Sequence, residues 1–283
     1  MATRFREMVD NLRQDRLLFG VGLLGLILGA GLLIFIAVRG SALMAPEGQL
    51  RKAATFDIAL GIFILTMILM ERAAPMSRRG RRVWSGLLAF LVLYAYAMEN
   101  VQILRGLDPR FSNVAGPTDQ ILGGVFFLSA VAIMLLFVAL AVRFFRRSTA
   151  GPDGPLLLAL RYGSVAALIG FTVGIVISAN GTAEAGAAGN WLPLHALGFH
   201  GVQAVPLVAL MLGWAGASAP DARRAVHFAG AAWLATCLAV GWQTLAGGGV
   251  LSPSLPIVVA ALAFALWGAT FARAALASRS ATA

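Results

Sequence analysis

Long apolar runs alternate with short polar connections along the whole chain. Eight runs are long enough to cross a membrane, at roughly 17–38, 54–71, 84–104, 121–143, 156–179, 192–216, 225–246 and 254–276. A hydrocarbon core of ~30 Å requires about 20 such residues in a helix. The connections are basic, or rich in Gly, Pro and Ser, as in 151–155 and 178–190. The pattern predicts an all-α fold, a polytopic membrane helix bundle of about eight transmembrane helices. The first run is too long for the apolar part of a signal peptide and is read as a retained span. Residues 1–16 form a basic N-terminal segment, 17–276 a single transmembrane domain and 277–283 a tail. No internal repeat is visible between the halves, which argues against an inverted-repeat carrier.

Composition agrees with the pattern. Of 283 residues, 59% are hydrophobic and 12% charged, against roughly 25% charged in an average soluble domain. A soluble globule, a disordered chain and a disulfide scaffold are excluded. The net charge of +10 lies mostly in alternate loops: 16 basic residues fall on one side of the predicted spans and 5 on the other. The positive-inside rule then places both termini in the cytoplasm. The charge is read as topology, so nucleic acid is excluded as a partner and the lipid bilayer is the expected surroundings, in a bacterial cytoplasmic membrane. The single cysteine, Cys237, lies in an apolar run and is expected to be a packing residue.

Ionisable and amide side chains inside spans cost free energy and are candidates for function. Asp57, Glu99, Gln102, Arg105, His195, His200, Gln203 and Gln243 all fall in the outer half of the bilayer by this topology, which predicts a polar cavity open to the outer face. Glu99 and His200 are the candidate catalytic pair. Asp57, Gln102, Arg105, His195, Gln203 and Gln243 are candidate binding residues. Glu99 requires a cation, a metal or a proton, and a histidine of the sixth span is its expected partner. Arg105 is six residues on and faces elsewhere. His195 and His200 are the candidate metal ligands, although five residues on a regular helix place them ~140° apart. Pro206 is expected to kink that span. Tyr94 and Tyr96 lie close to Glu99, where a packing role is the commoner one.

Two segments, Gln102-x-x-Arg105-Gly106 with Arg110-Phe111, and His195-x4-His200-x2-Gln203-x2-Pro206, resemble a family of bacterial multi-span membrane proteins. The family carries no assigned activity. The resemblance implies only that these segments are its hallmarks. Three functions remain open at this stage. One is membrane-embedded chemistry on a small-molecule or lipid substrate, with a metal ion as cofactor and haem disfavoured. The second is a small-solute or proton-coupled permease. The third is an accessory subunit whose polar residues join helices, each worth ~0.6 kcal/mol.

Overall fold

The computed structural model describes residues 10–146 and 154–280. It contains eight helices long and apolar enough to span a membrane, as the hydrophobic pattern predicts. They are α1 (Arg16–Arg39), α2 (Leu50–Ala73), α3 (Arg78–Leu104), α4 (Pro117–Phe145), α5 (Gly154–Asn180), α6 (Leu192–Trp214), α7 (Ala219–Leu245) and α8 (Leu255–Ser280). Two small antiparallel hairpins interrupt the series. Strands β1 (Leu43–Met44) and β2 (Gly48–Gln49) join α1 to α2, and β3 (Glu184–Ala185) and β4 (Gly189–Asn190) join α5 to α6.

Several helices start earlier than their apolar runs. The first turn of α3 carries four arginines between 78 and 82, and it is helical because Ser77 caps it, accepting from the Gly80 N–H at 3.1 Å. Hydropathy marks only the part that lipid surrounds, whereas capping fixes where the helix begins. The helix α6 continues through Pro206.

The chain divides between Leu140 and Ala141 into two compact units. Each has the same order of elements: helix, hairpin, helix, helix, loop, helix. The correspondence extends to single hydrogen bonds at a constant spacing of 141 residues. Ser77 caps α3 by accepting from Gly80, and Ser218 caps α7 by accepting from Asp221. The Leu50 N–H donates to Ala42 O, and the Trp191 N–H donates to Ala183 O. Glu47 and Gly48 donate to Gly106 O, and Ala188 donates to Gly247 O. Leu107 donates to Gln102 O, and Gly248 donates to Gln243 O.

Close backbone approaches repeat as well. A side chain at Gly29 would press on Ala54 O, and one at Gly170 on His195 O. These glycines let α1 lie against α2 and α5 against α6. A side chain at Gly48 would collide with Ile103 O, and one at Gly189 with Thr244 O, so each hairpin folds directly onto the end of the third helix of its unit. Gly106 and Gly247 have φ of 83° and 73°, a left-handed turn that glycine adopts without steric cost.

The structure therefore corrects the expectation that the halves share no repeat. The shared positions are scattered small, capping and amide residues. Most apolar positions have interchanged, because any apolar side chain satisfies lipid or a loosely specified core.

The two units pack their helices differently. In the first, α4 stands off on large side chains: Trp84 Nε1 donates to Leu136 O at 3.0 Å, and the Tyr94 hydroxyl donates to Leu122 O at 3.0 Å. In the second, α7 and α8 meet through Trp233, Phe264 and Trp267, with ring centroids 4.9–5.9 Å apart. Cys237 is buried beside Trp233 in the same core cluster.

Candidate functional site

In the first unit the hairpin end of α2 and α3 holds a connected set of charges. Asp57 on α2 and Glu99 on α3 are both 0% exposed. Asn100 faces Asp57 across the helix pair and its amide nitrogen lies 3.1 and 2.9 Å from the two carboxylate oxygens. The same nitrogen lies 2.9 Å from its own-helix acceptor, Tyr96 O, so one amide holds both helices in register.

Glu99 finds its cation within the unit. Past the Gly106 turn the chain folds back over the helix ends and brings Arg110 to Glu99, where Arg110 Nη2 donates to Oε1 at 2.6 Å. The guanidinium lies 5.5 Å from the Phe56 ring centroid and 5.7 Å from that of Phe126. Desolvated cation–π contacts of this kind reach ~2 kcal/mol. Glu99 Oε2 is buried with no hydrogen-bond partner, and so is the hydroxyl of Tyr96. That hydroxyl lies where a Cβ on Gly25 would clash, as does Asp57 O. Tyr96 and Asp57 therefore meet at one point on α1.

Further out, charges fasten the loop. Lys52 donates to Asp108 at 3.0 Å, and Asp108 also accepts from the N–H groups of Arg110 and Phe111. Burial alone would raise the Asp108 carboxyl, but these hydrogen bonds and the Lys52 and Arg110 charges hold it below its ordinary range. Glu47 accepts from the Ser112 hydroxyl at 2.5 Å and the Asn113 N–H at 2.9 Å, which lowers it too. Arg105 grips Asp119 with both nitrogens, at 2.6 and 3.1 Å. Gln102 accepts from Arg105 at 2.8 Å and donates to Asp119 at 2.9 Å.

The remaining candidates lie in the second unit. One ring nitrogen of His195, Nδ1, sits 2.8 Å from Gly170 O on α5, and the ring packs edge-on to Phe199 at 4.9 Å. His200 is exposed and Gln203 half-buried. With α6 helical throughout, His195 and His200 stay on different faces, and the structure does not bring them together. Gln243 donates to Gly249 O at 3.0 Å and accepts from the Ser254 hydroxyl at 2.7 Å. It does in its unit what its counterpart Gln102 does in the first, tying the third helix to the loop that follows. Among the described residues no group of three or more His, Cys, Asp or Glu is arranged to hold a metal ion.

Sequence reasoning assigned no role to Asn100 and counted Arg110 only as a loop charge. The spacing of Asn100 four residues after Tyr96 signals a shared helix face, but which helix it meets is tertiary information. It also missed Glu71, 0% exposed at the opposite end of α2, whose Oε1 lies 2.7 Å from Arg81 Nε. That contact is an ion pair without hydrogen-bond geometry.

The repeat works as an internal control on all of these. At the same spacing, Asp57, Tyr96, Glu99 and Asn100 correspond to Gly198, Cys237, Val240 and Gly241, while Gln102 corresponds to Gln243. The framework keeps its amide staple in both copies and forms the second time without the buried charges. Comparison of the chain with known protein families, curated proteins and solved structures finds no match.

Proposed function

We propose that the protein is a small-solute carrier of the bacterial cytoplasmic membrane, built from two four-span units, with its ion-handling groups in the first. One observation carries this reading: the repeated framework of helix, hairpin, helix, helix, loop and helix. Carriers are commonly built from internal repeats, and an even number of spans per repeat yields the parallel kind. The resemblance to bacterial multi-span proteins through the 102–111 and 195–206 segments is in keeping with it. The predicted topology would place the hairpin ends, and Asp57 and Glu99 with them, toward the outer face.

Metal-dependent chemistry at His195 and His200 has less support. It would require further ligands, and one ring nitrogen of His195 already sits against a backbone carbonyl.

Proteoliposomes loaded with a pH-sensitive dye test the carrier reading. Addition of a panel of amino acids, small organic cations and metal ions is expected to produce a proton movement with at least one member. Asp57→Asn should abolish that response while the protein remains inserted. If no member of the panel moves protons with the wild type, the carrier reading falls.

A further inference from the structure

We propose that Asp57, Glu99 and Tyr96 form a binding site for one exchangeable proton. The proposal rests on the carrier reading for its purpose, but not for its evidence.

Charge balance comes first. Two carboxylates, both fully buried, face a single guanidinium, that of Arg110. Asp57 has only the neutral amide of Asn100 as its partner. The groups facing the pair from α2 and the loop after α3 are Lys52 and Asp108, which neutralise each other. From α1 the neighbour is Gly25, and from α4 it is Phe126; neither carries charge. One buried negative charge is left over, and an uncompensated charge in a low-dielectric interior is strongly unfavourable. A proton is the smallest ligand that removes it.

Orphaned polar atoms make the second argument. Buried polar groups are nearly always hydrogen-bonded. Here the Tyr96 hydroxyl, on a residue 2% exposed, and Glu99 Oε2 both lack partners. Tyr96 and Glu99 are three residues apart on α3 and share a face. The hydroxyl reaches the place on α1 where the Asp57 backbone also packs. An orphaned donor, an orphaned acceptor and a carboxylate with an excess charge are what a proton would connect, either directly or through one water.

The third argument removes the interhelical-glue explanation. The second unit folds on the same framework with Gly198, Cys237 and Val240 at these positions. The framework therefore does not need the three polar groups, whereas it retains Gln102 and Gln243 in both copies.

Infrared difference spectroscopy of the purified full-length protein, titrated in pH, reads the proton without reference to transport. The wild type should show one reversible carbonyl band of a protonated carboxyl group that shifts on deuterium exchange. Asp57→Asn should remove this titration, and the isosteric Glu99→Gln should displace it even if Asp57→Asn folds poorly. Tyr96→Phe should shift the band while leaving the helical signal intact. A wild type with no such band, or a band unchanged in all three variants, overturns the proposal. A band that sodium ions displace at fixed pH also overturns it, in favour of a metal-cation site. A titrating band in a protein that moves no solute would leave the site standing and remove the carrier reading alone.

Discussion

Gln102 and Gln243 show at the scale of one residue how the repeat separates structure from function. Both sit in outer polar segments and both are intramembrane candidates by sequence, yet each ties the end of a helix to the loop beyond it. Removing a buried amide leaves its partners unsatisfied at a cost of about 1–3 kcal/mol. Gln102→Ala and Gln243→Ala should therefore lower thermal stability in detergent by similar amounts and leave the carboxyl titration in place. Glu71 differs in having no charged counterpart; Leu212 stands at its position in the second unit. Glu71→Gln should destabilise the first unit, since breaking a buried pair costs ~3–5 kcal/mol, with the partly exposed Arg81 keeping the loss toward the lower end. Unfolding followed by denaturant measures both effects, and unequal losses for the two glutamines would contradict the shared staple role.

At the scale of elements, the helix pairs α1–α2 and α5–α6 depend on glycine at their crossings. Gly29→Leu and Gly170→Leu place atoms against backbone carbonyls that cannot yield, and overpacking of this kind costs about 1–3 kcal/mol or more. Gly31→Leu meets open space and should leave the unfolding midpoint unchanged, which makes it the control. The loop after α3 has a different dependence. Glu47 and Asp108 anchor it, and both carboxyls are held below their ordinary values of 4.5 and 3.8. A group depressed in the folded state stabilises it above the unfolded value and loses that contribution as pH falls through the folded one. Hydrogen-exchange protection over 107–113 should therefore be constant above pH 4.5 and decay only below it. Decay that begins near neutrality would show that other groups hold the loop.

For the whole molecule, the repeat makes a topological prediction. Four spans per unit return the chain to the side on which it started, so equivalent positions must share a side. In a Cys237→Ala background, cysteines at Ser41 and Thr182 should react with an impermeant thiol reagent from the same face, and cysteines at Ser77 and Ser218 from the other. With cytoplasmic termini, Ser41 and Thr182 label from outside. Labelling of Ser41 and Thr182 from opposite faces would exclude the parallel repeat.

The sequence by itself determined the eight spans, because helix length against bilayer thickness is a one-dimensional constraint and apolar runs record it directly. It also singled out Asp57 and Glu99, since a carboxylate in an apolar run is conspicuous wherever the helix goes. Partners were another matter. Glu99 meets Arg110 only because the Gly106 turn folds the loop back over the helix ends, and Asp57 meets Asn100 only because α2 and α3 pack in one register. The repeat was hidden for a related reason. Its identities are glycines, caps and one amide, whose meaning lies in which backbone they touch. Only the tertiary structure supplies those contacts, and it alone separates the residues that hold the framework from those the framework can do without.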